Sequence, residues 1–283
     1  MGIKLKPDGK KIRALRVQRG WTQEQLAEIA GIREPDVTPG AIDAALFGEI
    51  LHSVMEQIYS PFTGKNVMHE DIVKINADNN PVETAIINKI REKLYKGGNM
   101  ASLSGNEQIV VSILRKYIQS LLSFDSGIAP FTITGLEREV MAEVEIRYAG
   151  SSARVNAGGI IDRTDTLSGM NRVVDYKTGS ISGEIKSVAS LFDAEDDSRS
   201  EAWFQVLMYC EILMLSGIAE RVRPSVYAVR NLNLKNYSDR LLIKIKGEEP
   251  FFIDWKRTNR KANGKRKTGN SKRPTCFGRV DRH

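Results

Sequence analysis

Two strand-like runs that meet at Ser168-Gly169 constrain this chain more than any other feature. Residues 153 to 166 (ARVNAGGIIDRTDT) and 171 to 178 (NRVVDYKT) alternate in polarity and are rich in branched side chains. Ser-Gly is a small pair suited to a tight turn, so the runs are expected to pair as an antiparallel hairpin closed by those two residues. In that register Asp165 meets Arg172, a compensated contact, whereas Asp162 meets Asp175. Directly opposed Cβ atoms are about 5 Å apart and like charges there are destabilising, so the two carboxylates require a cation. A divalent metal ion supplies one. Lys177 lies two residues past Asp175 and projects from the same face, while Tyr176 turns its ring into the opposite layer and leaves its backbone carbonyl as a possible further oxygen ligand.

This grouping matches the needs of phosphodiester hydrolysis. A hard, oxygen-ligated ion stabilises charge on phosphate and activates water, and a nearby ammonium orients or activates the nucleophile. The surrounding pattern places the hairpin within an α/β domain. Amphipathic helices are expected over 40–59, 82–96 and 106–123, with a loop over 61–81 that contains Pro61, Gly64 and Asn79-Asn80. A further strand is expected over 131–148 (FTITGLEREVMAEVEIRY), then a strongly apolar helix over 200–217 and strands over 223–229 and 239–246.

The run G-I-I-D-R followed by V-V-D-Y-K-T-G resembles the PD-(D/E)XK signature of RecB-like and AddB-like nucleases. Upstream, Gly48-Glu49-Ile50-Leu51-His52-Ser53-Val54-Met55-Glu56 resembles the family's G-x-x-x-H-x-x-x-E helix. Downstream, Gln205-Val206-Leu207-Met208-Tyr209 resembles its Q-x-x-x-Y helix. Residues four apart share a helix face, which sets His52 beside Glu56 and Gln205 beside Tyr209. The resemblance implies a restriction-endonuclease-like core, a mixed central sheet flanked by helices, with a short helical N-terminal appendage. It also implies Mg²⁺ or Mn²⁺ held by His52, Asp162, Asp175 and the Tyr176 carbonyl. Asp162, Asp175 and Lys177 would be catalytic, and Gln205 and Tyr209 would contact DNA. Glu56 and Glu137 are further acids near this set, with Glu139 an equal candidate to Glu137.

The chain departs in two respects from the nucleases it resembles. Many of them hold an iron–sulfur cluster with four cysteines, but this chain has only Cys210 and Cys276, so no such cluster is expected. It also has no G-x-x-x-x-G-K-[ST] phosphate loop, so any unwinding would fall to a separate helicase subunit. No apolar run reaches the length of a membrane span, and the reading is of a cytoplasmic protein without a membrane partner.

The two ends of the chain read differently from its middle. Within residues 1–35, KKIRALRVQRGWTQEQLAEIAGI suggests two short helices, and Thr22 to Ala27 resemble the start of a Cro/repressor-type helix-turn-helix. Pro35 and Pro39 interrupt the stretch where a recognition helix would lie. Residues 38–250 are expected to form the nuclease domain. Residues 255–283 hold eleven Lys and Arg against one acid, Asp281, and read as a disordered tail able to contact phosphates. The rival to a nuclease is a non-catalytic DNA-binding regulator built from the N-terminal helices, the basic tail and an inactive core.

Overall fold

The computed structural model describes residues 16–19, 42–77, 79–95, 103–148, 151–193, 196, 200–245, 247–256 and 279–281. The chain divides into two units, Met1–Asp43 and Ala44–His283. In the first unit residues 16–18 are helical; the rest of the expected helix-turn-helix fragment lies outside the described residues.

The second unit opens with α1 (Ala44–Tyr59), whose Ile50, Leu51, Val54, Met55 and Tyr59 form one buried stripe. A short strand β1 (Asn66–Val67) and the helix α2 (His69–Ala77) then occupy the stretch expected to be a loop. The Asp71 carboxylate accepts the Met68 amide at 3.0 Å and ties down the first turn of α2. Ile72 is the helix's one buried side chain, so it offers no apolar periodicity to read. After α3 (Asn79–Tyr95), α4 (Gly105–Ile128) begins with a capping box: Ser104 Oγ accepts the Glu107 amide, and the Glu107 carboxylate accepts the Ser104 amide. It runs five residues beyond its expected end, and that extension carries Asp125 into the interior.

Among the described residues seven strands form the main sheet, in the order β1, β2 (Phe131–Tyr148), β3 (Ser151–Leu167), β4 (Met170–Lys177), β6 (Arg221–Ala228), β9 (Asp254–Lys256) and β10 (Arg279–Asp281). Strands β2 (Phe131–Tyr148) and β3 (Ser151–Leu167) make a long antiparallel ribbon, and β4 (Met170–Lys177) pairs with β3 over Arg163–Leu167. The β3–β4 turn is the expected one: Ser168 and Gly169 have φ of 51° and 77°, and two positive values in a two-residue loop match the twist of the flanking strands. Strand β6 (Arg221–Ala228) lies parallel to β4, with helix α5 (Glu201–Leu215) as the crossover. Trp203, Val206, Cys210 and Leu213 of α5 bury against Val173, Val222 and Val226. This is the mixed sheet flanked by helices that the sequence implied.

Three short strands form a second sheet, β5 (Glu184–Ile185), β7 (Leu242–Ile243) and β8 (Phe251–Phe252), in the order β5-β7-β8. Of the strand expected over 239–246, β7 alone is regular. The main sheet continues into β9 (Asp254–Lys256), which runs into the stretch read as a tail, and β10 (Arg279–Asp281), which lies within it. Trp255 is fully buried and its indole N–H donates to Glu211 at 2.6 Å, so the core extends at least that far. Residues 257–278 lie outside the described residues. No helix among the described residues is long and apolar enough to cross a membrane.

Candidate active site

The hairpin brings Asp162 and Asp175 to the place where its ladder ends. The last bonded pair is Arg163 with Val174, so the two aspartates stand one step beyond it. The Tyr176 amide donates instead to Asp162 Oδ2, at 2.8 Å. A carboxylate thus replaces the partner strand and is held rigidly, 8% exposed, at the splayed edge of the sheet.

Helix α1 delivers His52 to the same edge. Its Nε2 donates to the Tyr176 carbonyl at 2.9 Å, and its Nδ1 lies 3.4 Å from Asp162 Oδ1. A carbonyl can only accept, so Nε2 carries the proton, and a neutral ring then turns the Nδ1 lone pair toward a carboxylate oxygen. Acceptor faces acceptor, and a proton or a cation between them resolves the conflict. Glu137 supplies a third donor: single ligand atoms from His52, Glu137 and Asp162 all lie within 4.8 Å of one another. One nitrogen and carboxylate oxygens form a set suited to Mg²⁺ or Mn²⁺, so the residues present fit such an ion.

Strand β2 is distorted where it supplies that glutamate. Its register with β3 shifts between Ile133 and Gly135, and Glu137 takes a φ of 42°, a left-handed conformation that is uncommon outside glycine. Of the two acids left open by the sequence, Glu137 turns toward Asp162 and Glu139 is exposed. Glu56 is exposed one turn beyond His52, near enough for its charge to act on Glu137.

Asp175 and Lys177 form the other half of the site. Lys177 Nζ donates to Asp175 Oδ1 at 3.1 Å and to Gln205 Oε1 at 3.0 Å; Asp175 Oδ2 lies 2.9 Å from the same ammonium without hydrogen-bond alignment. Gln205 Nε2 in turn donates to Tyr209 OH at 2.9 Å. The four-residue spacing on α5 therefore places both side chains on one line running from the lysine.

Burial and mutual repulsion make these acids reluctant to ionise. Burial, followed by the Asp162 charge, pushes Glu137 up to about 7. Asp162 is raised by burial against the opposing effects of the Tyr176 amide and Lys177; Asp175 is raised by burial and then by Asp162. Three carboxyls held above their ordinary range in one cleft are poised to exchange protons for a cation.

Beneath the site lies a buried charge network that sequence reasoning missed. Arg163 donates to Asp125 at 2.7 Å and to Asp165 at 2.7 Å, and Arg172 donates to both oxygens of Asp165 at 2.7 and 2.8 Å. Tyr59 and Tyr227 donate to the two oxygens of Asp125. The Tyr176 hydroxyl accepts from Arg163 at 3.3 Å, so the ring turned away from the His52–Glu137–Asp162 cluster is anchored by this network. Asp165 and Arg172 were legible as a pair, but Asp125, contributed by a distant helix, left no local signal.

A family model for the PD-(D/E)XK nuclease superfamily matches residues 25–236, which include every side chain of this site. No curated protein matches the chain.

Proposed function

Because the chain belongs to the PD-(D/E)XK nuclease superfamily, we propose that it is a cytoplasmic, Mg²⁺- or Mn²⁺-dependent deoxyribonuclease that hydrolyses phosphodiester bonds at the Asp162–Asp175–Lys177 site. The observation that carries this reading is Lys177, whose ammonium is fixed between Asp175 and Gln205 beside the His52–Glu137–Asp162 cluster. His52, Glu137 and Asp162 would hold the ion, with Asp175 and the Tyr176 carbonyl adjoining. When bound, a hard divalent ion stabilises negative charge on the phosphate and lowers the pKa of its water.

The protein's own groups do the rest. The Tyr176 amide and the His52 ring hold Asp162 in one orientation, so its free electron pairs point into the cleft. Lys177, steadied from two sides, keeps a positive charge where the attacking oxygen and the phosphate meet. Gln205 sets the position of Lys177, and Tyr209 supports Gln205 and faces the strand. The RecB-like motifs support an exonuclease-like role in DNA repair or recombination, with unwinding supplied by a separate helicase subunit. The N-terminal helical segment and the basic C-terminal stretch would add substrate contacts rather than chemistry.

The test is cleavage of end-labelled linear DNA and of circular DNA with Mg²⁺, Mn²⁺ or EDTA. Cleavage that needs metal, spares the circle and is lost in Lys177→Ala is expected. Cleavage in EDTA, or an undiminished rate in Lys177→Ala, overturns the assignment.

A further inference from the structure

A cavity of about 350 Å³ lies one strand away from the proposed catalytic pair. In the parallel β4–β6 ladder Asp175 is level with Val226 and Lys177 with Ala228, and level partners project from the same face of a sheet. Val226 and Ala228 line the cavity, so it opens on the face that bears Asp175 and Lys177. The chain leaving Lys177 reaches the wall within four residues, at Ile181.

The wall combines aromatic rings with amides and one guanidinium. Trp203 is buried behind the wall, its indole donating to the Ser182 carbonyl at 2.7 Å, and Tyr237 donates its phenol to the Val226 carbonyl at 2.6 Å, which leaves its partly exposed ring as apolar contact surface. Asn231 and Asn236 add side-chain amides, each able to donate and accept. Arg240 lies against the Phe252 ring, 4.4 Å from its centroid, and its buried Nε has no hydrogen-bond partner. The other charged side chain on the wall, Glu184, is paired with Lys244 at 2.6 Å.

We propose that this cavity receives one base of the substrate strand, holding it against the aromatic wall and reading its edge with Arg240 Nε and the asparagine amides. Ring faces serve for stacking, and mixed donors and acceptors match a base edge, which presents both. A phosphate would meet a single guanidinium already shared with Asp254, whereas a base offers that unpaired Nε an uncharged acceptor. The inference rests on the nuclease reading for the identity of the strand, but its test does not need cleavage.

The test is an abasic scan. Short single-stranded oligodeoxynucleotides, each lacking the base at one position, are titrated in EDTA into the wild-type protein, Gly183→Leu and Asn236→Ala. A Cβ at Gly183 meets only Ser238 O, at 3.9 Å, so leucine there fills the cavity without forcing the backbone; Asn236 is exposed, so its truncation leaves the core intact. Loss of one particular base is expected to weaken wild-type binding roughly tenfold or more. That penalty should vanish in Gly183→Leu and shrink in Asn236→Ala. A penalty that is uniform along the strand, one unchanged in both variants, or no binding at all overturns the proposal. Cleavage of the intact oligonucleotide with Mg²⁺ is measured separately: cleavage without a position-specific penalty removes the base pocket alone, and a penalty without cleavage keeps the pocket and removes the nuclease reading.

Discussion

The hydroxyl of Tyr209 lies 2.7 Å from the point where a side chain on Gly159 would begin, and the edge of its ring lies 3.0 Å away. No residue but glycine leaves that ring where it is. Because Tyr209 supports Gln205, and Gln205 holds Lys177, an added methyl in β3 is transmitted to the ammonium. Gly159→Ala should therefore cut the cleavage rate about 10- to 100-fold, the scale of a misplacement near 1 Å. Its melting temperature should stay close to wild type, and Tyr209→Phe should lose less than the alanine variant. A steady-state assay beside a thermal melt checks both.

The raised carboxyls predict a pH dependence whose sign is definite. In the folded protein without metal Glu137 titrates near 7, whereas an unfolded glutamate titrates at about 4.3. The stabilising contribution of the protonated form is thus fully present below the unfolded value and is lost as pH rises through about 7. In EDTA, thermal stability should fall from about pH 4.5 to about pH 7 and level off above it, and Glu137→Gln should flatten that fall. Mn²⁺ should reverse the trend. Calorimetric titration of Mn²⁺ at pH 6 should release protons, detected as a heat that depends on the buffer, and the release should fade by pH 8.

The hairpin, its turn and the aspartate–lysine spacing were legible in the sequence because each depends on residues a few positions apart. Ser168-Gly169 fixes the register, and the register then places Asp162, Asp175 and Lys177. The choice of Glu137 over Glu139 was not legible, since it depends on a shifted register near Thr134 and a left-handed backbone that no local pattern announces. Helix α2 stayed hidden because one buried isoleucine makes no stripe. The ion pairs of Asp125 with Arg163 were invisible for a different reason: they span 38 residues and join a helix to a strand.

That network should matter for folding more than for chemistry. Arg163 is fully buried and serves two aspartates at once, so Arg163→Met leaves uncompensated charge in the interior. Losing one partner of a buried pair costs about 3–5 kcal/mol. Chemical denaturation should show a loss of that order. Tyr176 also loses its anchor, so residual cleavage should fall as well, but Mn²⁺ should still stabilise whatever folds.

The basic C-terminal stretch should affect affinity and its salt dependence. Replacing the Lys and Arg residues of 257–273 with glutamine tests this without truncation, because β10 (Arg279–Asp281) pairs with β9 and belongs to the main sheet. Each phosphate contact removed from duplex DNA flattens the slope of log affinity against log salt by about 0.9. The neutralised protein should therefore bind more weakly at low salt and with a shallower slope, while its cleavage rate at saturating DNA holds. An unchanged slope would mean that these cations make no phosphate contacts.

Lys177 and Asp175 should separate when each is replaced. Asp175→Ala removes a carboxylate beside the cluster and should weaken Mn²⁺ binding together with cleavage. Lys177→Met removes the charge that holds both aspartates down, so their pKa values should climb further and Mn²⁺ affinity at pH 7 should drop with them. Raising the pH ionises the aspartates again, and metal affinity should return. On the proposed role of Lys177 the rate should not return, because no ammonium is left to steady the attacking oxygen, a loss on the order of 10²–10⁴. Mn²⁺ calorimetry and single-turnover cleavage at pH 7 and pH 8.5 distinguish the two roles. Recovery of cleavage along with metal affinity would reduce Lys177 to an electrostatic support for the ligands.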